Sequence, residues 1–384
     1  MTFIESYKKQ YFDELVNNCI PFWERNCVDK EFGGYFTCLD RDGSVYDTNK
    51  FMWMQWRIVW MFSEFYNKLE KNPKWLEIAK NGYEFLTKHG KDAQGRYYFQ
   101  LNRQGEPVRA PYDAFSDCFA VMGAAAYYKA CGLPEAKEEA LRAFQSYCAR
   151  ELNPKGEWNK NMPAAKEYLA LGFYMMKLNL YDVLKENLGT SEFDSELIKT
   201  TEFVLKTFRH PEMGIMFENV CPDGTFDLES MNGRMTNPGH VLEAMWFVMN
   251  SSGKLGATEN VNKALDIILT TLDYGWDKEC EGIYYFKDAL GKPHLELQWN
   301  MKLWWVHNEA LIATAMAYTV SGKEEYLNWF ERLHNYAWSH FKDTEYPEWY
   351  AYLDRYGKPT HTLKGGKWKT FFHLPRCLWT VSQL

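Results

Sequence analysis

Two of the nine histidines stand where the sequence predicts the first turn of a helix. His240 comes directly after a Pro-Gly pair, and His373 comes directly before a Leu-Pro pair. Each has a charged residue three positions later, Glu243 and Arg376, and residues three apart share a face of a helix. Such a pair suits epimerisation, because one histidine can remove a proton beside a carbonyl while the other returns a proton on the opposite face. The positive end of the helix dipole is expected to keep His240 neutral.

Arg57 lies in the apolar run Trp56–Trp60, where an unpaired charge is costly. Its guanidinium could bind a sugar oxygen or a carboxylate, or it could pair with an acid in the core. A second apolar run carries Trp305, Asn308 and Glu309 on one helical stripe. Glu309 could therefore orient a hydroxyl group or an arginine.

Other chemistries leave weaker signals in the sequence. A glycoside hydrolase uses two carboxylates as its principal groups, and Glu243 and Glu309 keep that class open. The sequence has no phosphate-binding loop and no dinucleotide fingerprint. His307 and Glu309 alone are too few ligands for a zinc site, so no metal is expected.

A short element recurs along the chain: an aromatic-rich run, a polar turn that ends in glycine, and a short second run. Each copy has the alternation and the turn of a β-hairpin. The steps between copies predict one degenerate copy near Gly156, and six units of about 64 residues account for the chain. The clear copies are Gly33–Gly43, Gly95–Gly105, Gly214–Gly224, Gly282–Gly291 and Trp349–Gly357.

Between these copies, apolar residues recur at spacings of three and four, which predicts twelve helices, among them Ile4–Trp23, Ala164–Leu184 and Phe372–Val381. Six units predict an all-α fold, an (α/α)6 barrel of six helical hairpins with short β-hairpins at one rim, as a single catalytic domain over residues 1–384. An open α-solenoid is the competing architecture, but no end unit has the polar face of a cap. If the helices after the hairpins form an inner ring, their N-termini meet at one mouth.

The composition narrows the class of protein. Aromatic residues make up 17% of the 384 residues, which excludes a disordered chain and leaves rings to line a sugar-sized cleft. The net charge of −7 and the lack of long basic runs argue against nucleic-acid binding. No apolar stretch is long enough to span a membrane, and the N-terminal residues lack the apolar core of a secretion signal. Nine scattered cysteines are typical of a reduced, cytoplasmic protein.

Several segments resemble N-acylglucosamine 2-epimerases, and the resemblance runs in order over essentially the whole chain. The match around Asn308 and after His373 is better to the acylglucosamine branch than to the related cellobiose 2-epimerases, and mannose isomerases are further relatives that share the barrel. The segments are Trp56–Trp60, Phe115–Phe119, Asn237–His240, Lys302–Ala310, Glu348–Trp349 and Lys364–Arg376.

The resemblance implies interconversion of N-acetyl-D-glucosamine and N-acetyl-D-mannosamine, a step that feeds sialic acid metabolism. The sugar ring would open, and C2 would lose a proton and regain one on the opposite face. His240 and His373 would form the acid/base pair, Arg57 would stabilise charge at the C1 oxygen, and Glu309 would complete the catalytic set. The implied substrate-binding residues are Glu243, Trp305, Asn308, Trp368 and Arg376.

The same resemblance implies a homodimer that acts on a small sugar with no required cofactor, and with ATP as an activator that is not consumed. Two alternatives stay open. An aldose–ketose isomerase or epimerase on the same scaffold would act on mannose or another free sugar. An inactive barrel that binds carbohydrate or protein is the second alternative, and the intact set of His240, His373 and Arg57 argues against it.

Overall fold

The computed structural model describes residues 3–162 and 164–384, and these form a ring of helices with short strands at one rim. In chain order the α-helices are α1 (Phe3–Glu14), α2 (Ile20–Asn26), α3 (Met52–Lys68), α4 (Pro73–His89), α5 (Phe115–Cys131), α6 (Pro134–Cys148), α7 (Leu171–Leu188), α8 (Asp194–Thr207), α9 (Pro238–Lys254), α10 (Thr258–Gly275), α11 (Trp304–Ser321), α12 (Glu324–His340) and α13 (His373–Gln383).

The burial pattern along each helix shows whether the helix belongs to an inner or an outer ring. In α5, every residue from Ser116 to Tyr127 is buried, as expected for a helix surrounded by protein on all sides. Helix α4 instead buries one face, with residues such as Ile78 and Leu86, and exposes the other. The odd-numbered helices from α3 to α13 form the inner ring, and each contacts the next one along the chain.

The ring closes between its last and first units. Trp379 of α13 contacts Phe65 of α3, with ring centroids 6.3 Å apart. The N-terminal helix completes the outer ring, because the Tyr11 hydroxyl lies 3.0 Å from Nδ1 of His334 on α12. These contacts confirm the predicted (α/α)6 barrel and exclude an open solenoid.

Within residues 3–162 and 164–384 the rim has eleven short strands, and most of them pair between units. In chain order the strands are β1 (Cys38–Leu39), β2 (Val45–Asp47), β3 (Lys50–Phe51), β4 (Gln100–Leu101), β5 (Pro107–Arg109), β6 (Leu169–Ala170), β7 (Asn219–Val220), β8 (Met235–Thr236), β9 (Lys287–Asp288), β10 (Lys302–Leu303) and β11 (Tyr352–Leu353). Two of the predicted copies form local antiparallel pairs, β1–β2 and β4–β5. The strand that leads into an inner helix pairs with the next unit, as in β3–β4, β6–β7, β8–β9 and β10–β11.

Buried ion pairs, which we call rim clamps, also link neighbouring units. In the clamp at Asp343, the carboxylate accepts hydrogen bonds from Lys364 of the same unit and from Arg41 of the first unit, at 2.8 Å each. Lys364 and Asp343 are almost completely buried, and this clamp joins the last unit to the first. The same arrangement recurs at Asp29 with Lys50 and Arg103, and at Asp277 with Lys302 and Arg355.

Two predicted helices differ from the structure. The segment predicted as Ala164–Leu184 becomes helical only at Leu171, because most residues before it are exposed and present no apolar face to bury. In the loop before this helix, the predicted degenerate hairpin copy near Gly156 forms only a single 3-10 turn, Gly156–Trp158. The N-terminal helix passes through a π turn, Leu15–Cys19, that ends two residues before Pro21, which lacks the N–H needed for the α-helical ladder.

None of the nine cysteines, all of which lie among the described residues, forms a disulfide. A search of residues 3–162 and 164–384 finds no helix that is both long and apolar enough to cross a membrane.

Candidate active site

The N-termini of the inner helices surround a cavity of about 490 Å³, which is the volume of a small-molecule site. Its wall is mostly apolar, with eight aromatic rings and with five polar side chains that can make directed hydrogen bonds. The rings are Trp53, Phe115, Phe119, Tyr285, Trp304, Trp305, Tyr352 and Trp368, and the polar side chains are Arg57, His240, Glu243, Gln298 and His373.

His240 is held at the first turn of α9. The side chain of Asn237 caps the helix by accepting the backbone N–H of His240 at 3.2 Å, and Pro238 supplies the fixed φ of a first helical residue. Nδ1 of His240 lies 2.9 Å from Oε2 of Glu218, a residue that the sequence did not single out. This leaves Nε2 as the ring nitrogen for a substrate.

The pKa of His240 shifts in the direction opposite to the sequence-based expectation. Burial favours the neutral imidazole, but the carboxylates of Glu218 and Glu243 outweigh burial and raise the pKa of His240 above its usual value. The direction of this shift is opposite to the one that the helix dipole alone predicts, because two nearby full charges act more strongly than the partial charge of a helix terminus.

His373 is the first residue of α13 and has the opposite tendency. Its Nδ1 lies 2.7 Å from Oε1 of Glu309, so Nε2 is again left for a substrate. Burial lowers the pKa of His373 well below its usual value, and the charges of Arg57 and Arg376 lower it further against the opposing effect of Glu243. At neutral pH His373 is a neutral base.

A buried network behind His373 joins one arginine to two carboxylates. The guanidinium of Arg376 donates to Glu243 and, at 2.7 Å, to Glu309. The indole N–H of Trp246 donates to the other oxygen of Glu309 at 2.8 Å. Glu243, Glu309 and His373 could in principle ligate a cation, but Arg376 already supplies the positive charge between the two carboxylates. The donor set therefore fits an arginine better than a metal ion.

Arg57 is buried without a salt bridge to any residue that the structure describes, and its Nε has no hydrogen-bond partner there. Its guanidinium carbon lies 4.0 Å from the ring centroid of Phe119, 4.6 Å from that of Phe372 and 4.9 Å from that of Trp53. Burial lowers the pKa of Arg57 to about 9. The alternative of a core ion pair does not hold, and the free donors of Arg57 fit an incoming oxygen.

The cavity brings together six of the nine predicted site residues, namely Arg57, His240, Glu243, Trp305, Trp368 and His373. The indole of Trp305 contacts both imidazoles, with ring centroids 5.4 Å from His240 and 5.6 Å from His373. Trp368 is half-exposed and packs edge-on against Trp53 at the mouth.

The other three predicted residues lie behind the wall. Glu309 and Arg376 contact His373, so they can orient and tune that imidazole. Asn308 is fully buried, and both polar atoms of its amide lack a protein partner among the described residues. It does not line the cavity, so its predicted substrate contact stays a prediction.

Glu218 left a signal in the repeat. Backbone hydrogen bonds from Met52 to Phe99, from Leu171 to Glu218 and from Trp304 to Ala351 show that these acceptors occupy one position of the repeated unit. A carboxylate at that position departs from the aromatic or small residues of the other units. The position faces the start of an inner helix, and this is the property that the sequence alone did not show.

Comparison with known proteins agrees with the geometry. A family model described as N-acylglucosamine 2-epimerase (GlcNAc 2-epimerase) matches residues 34–377. The chain is 36% identical to an N-acylglucosamine 2-epimerase of Bos taurus over 389 aligned residues, which cover 98% of this chain and 90% of that protein. It is 25% identical to a cellobiose 2-epimerase of Dictyoglomus turgidum, with 98% of each chain covered.

Solved structures share the fold. A cellobiose 2-epimerase from Bacillus thermoamylovorans superposes with a TM-score of 0.84 at 21% identity, covering 99% of this chain and 100% of that one. A D-mannose isomerase superposes with a TM-score of 0.82 at 17% identity, covering 100% and 99%. With the family model matched over most of its length, this chain belongs to the N-acylglucosamine 2-epimerase family.

Proposed function

We propose that the protein interconverts N-acetyl-D-glucosamine and N-acetyl-D-mannosamine by moving a proton at C2. The observation that carries the proposal is a sugar-sized cavity with two histidines, each held at Nδ1 by a carboxylate and each left with Nε2 for the substrate. The relatives named N-acylglucosamine 2-epimerase support the choice of sugar.

The proposed reaction begins with the open-chain aldehyde, in which C2–H is acidic because it lies beside the C1 carbonyl. One imidazole takes the C2 proton, and the electron pair of the C–H bond moves into the C1–C2 bond while the carbonyl π pair moves to the C1 oxygen. Arg57 donates to that oxygen as it gains negative charge. The other imidazole then returns a proton to C2 on the opposite face, and the carbonyl re-forms.

Proton NMR in D2O tests the proposal with N-acetyl-D-mannosamine as the substrate. Epimerisation predicts that N-acetyl-D-glucosamine appears with deuterium at C2. A ketose formed from mannose or glucose would instead assign the protein to the aldose–ketose isomerases. Absence of exchange with any aldose would overturn both assignments.

We further propose that the protein acts as a homodimer in the cytoplasm, that its product feeds sialic acid metabolism, and that ATP activates it without being consumed. These proposals rest on the resemblance to the family. Sedimentation velocity tests the dimer. Rates measured with and without a non-hydrolysable ATP analogue test the activation, since an activator that is not consumed needs no cleavable phosphate.

A further inference from the structure

The carboxylate of Glu218 is held on both of its oxygens. Oε2 contacts Nδ1 of His240 at 2.9 Å, and Oε1 accepts the backbone N–H of Gly172, the second residue of α7, at 3.3 Å. The backbone carbonyl of Glu218 accepts from Leu171 at 2.8 Å, and its N–H donates to Met235 at 2.9 Å. Glu218 is buried, so its side chain has little freedom to turn away from the imidazole.

Gly172 makes this arrangement possible. A Cβ at that position would lie 3.3 Å from Oε1 of Glu218 and 3.3 Å from Cε1 of His240. These distances are shorter than ordinary van der Waals contact, so a side chain would press against both partners. A glycine at residue 172 therefore lets the N-terminus of α7 approach the pair without displacing either partner.

The two carboxylate–histidine pairs differ in how their charge is balanced. Glu309 shares its charge with Arg376 and receives a hydrogen bond from Trp246 as well as contacting His373. Glu218 has no lysine or arginine within 4.0 Å among the residues that the structure describes, and His240 is its only cationic partner. An uncompensated carboxylate favours the protonated form of the imidazole that it contacts.

The other groups around His240 affect its protonation less than Glu218 does. On its own helix, Glu243 favours protonation but is already bonded to Arg376. The cavity residues of α7 are Met175 and Met176, which carry no charge. Across the cavity lie Trp305 of α11, the phenol of Tyr285, whose pKa burial raises above its usual value, and His373 of α13. Arg57 of α3 lines the same cavity, and its positive charge opposes protonation of His240.

We propose that Glu218 is a positioning residue that keeps His240 protonated, so that the resting site holds His240 as the acid and His373 as the base. This inference rests on the proposed epimerase function. With His373 neutral and His240 charged, one proton is already placed for delivery to the face opposite the one that is deprotonated. The epimer whose C2–H faces His373 then meets a site that is ready to react, and the other epimer requires the proton to change histidines first.

The arrangement sets the pH range of activity. The productive free enzyme carries one proton on the pair of histidines, so kcat/KM falls in acid when His373 is also protonated and falls in base when His240 loses its proton. Because the pKa of His373 is well below its usual value and that of His240 is above it, the two limbs are separated.

The experiment compares the full-length protein with Glu218→Gln, and uses Glu157→Gln, at an exposed rim glutamate, as the control. Histidine side-chain NMR without substrate follows each titration, with the His240 and His373 signals identified by their loss in His→Asn variants. The expected result is that His240 titrates at higher pH than His373 in the parent, and that Glu218→Gln lowers the pKa of His240. The alkaline limb of kcat/KM should move down by the same amount while the acid limb stays in place.

An unchanged titration of His240 in Glu218→Gln, or a parent in which His373 titrates above His240, would overturn the inference. Gly172→Ala is the second variant if Glu218→Gln does not fold, since its Cβ separates the same pair and should lower the pKa of His240 too. The NMR titration needs no turnover. Failure of the epimerase proposal would therefore show as absent C2 exchange, with the His240 titration still measurable.

Discussion

At the scale of single residues, Arg57 has the environment that bears most directly on catalysis. Three aromatic rings surround its guanidinium, and it has no carboxylate partner among the described residues. Burying a cation in this way is costly, and the pKa of about 9 reflects that cost. An anionic oxygen that forms only during the reaction would relieve it, so Arg57 binds the intermediate more strongly than the ground state.

Arg57→Met should lower kcat/KM for epimerisation by about 10²–10³-fold, because it removes the donor that faces the C1 oxygen. Arg57→Lys should recover only part of the loss, since an ammonium group cannot reproduce the planar fork. The matched control is Arg332→Met, which removes an arginine that also stacks on two rings but lies exposed on α12. Equal activity losses in the Arg57 and Arg332 variants would contradict a catalytic role for Arg57.

His373→Asn should reduce C2 proton exchange by orders of magnitude in at least one direction, because the amide cannot accept a proton. Exchange is measured by NMR in D2O from each epimer separately. His89→Asn, on outer helix α4, is the control and should exchange at the rate of the parent. Near-normal exchange in His373→Asn would remove it from the acid/base pair.

The histidines, Arg57 and Glu309 could be found from the sequence because each is a polar residue within an apolar helical run. Glu218 could not, because it lies in the bend before β7, and only the fold shows that this bend faces His240, 22 positions later in the same unit. The same limit applied to the charge of His240. A local rule about helix termini predicted a neutral ring, while the decisive carboxylate came from another element.

At the scale of elements, the start of each inner helix is a functional position. Helix α9 begins with Asn237 and Pro238, and outer helix α4 begins with the same pair, Asn72 and Pro73. Both asparagines cap their helices by accepting a backbone N–H, at 3.2 Å and 3.1 Å. Only the first of these caps supports a residue of the cavity.

Asn237→Ala and Asn72→Ala should each reduce the free energy of unfolding by about 1 kcal/mol, the usual effect of losing such a cap. Only Asn237→Ala should also reduce kcat, by up to about 10²-fold, because it frees the first turn that carries His240. Urea unfolding and steady-state kinetics measure the two effects. A normal kcat in Asn237→Ala would show that the cap contributes to stability alone.

At the scale of the whole molecule, the rim clamps join neighbouring units, and the clamp at Asp343 joins the two units that the chain does not connect. The repeated Leu-Asp-Arg or Leu-Asn-Arg of the rim was visible in the sequence at Arg41, Arg103 and Arg355. The acidic partners of these arginines were not visible. Arg103 and Arg355 each reach the aspartate of the preceding unit, and Arg41 reaches the aspartate of the last unit. The repeat therefore predicted the barrel, while the ionic links that close it required the structure.

Asp343→Asn should lower the free energy of unfolding by about 3 kcal/mol or more, because it leaves the buried Lys364 without its counter-charge. Asp277→Asn breaks the equivalent clamp between consecutive units and should cost a similar amount. Asp266→Asn, which removes an exposed pair with Arg209, should change stability by less than about 1 kcal/mol. A negligible effect of Asp343→Asn alone would mean that the ring is open in solution.

Acid should weaken the same clamps. Burial alone would raise the pKa of Asp277 and Asp343, but hydrogen bonds from their arginine and lysine partners outweigh burial and hold both values well below 3.8. This stability is present above the unfolded-state pKa and is lost as the pH falls from about 4 towards the folded-state values. Urea unfolding at successive pH values should show the decline, with a shallower slope in Asp343→Asn.

Closure of the ring also has a consequence for folding during synthesis of the chain. The inner helix that carries Arg57 is synthesised early, yet its aromatic face is covered by Phe371 and Phe372, which are synthesised near the end. Cys19 likewise gains its hydrogen-bond acceptor, Glu348, only 329 positions later in the chain. During translation the growing chain therefore exposes this aromatic surface, and the reaction site is complete only after the last helix has been synthesised.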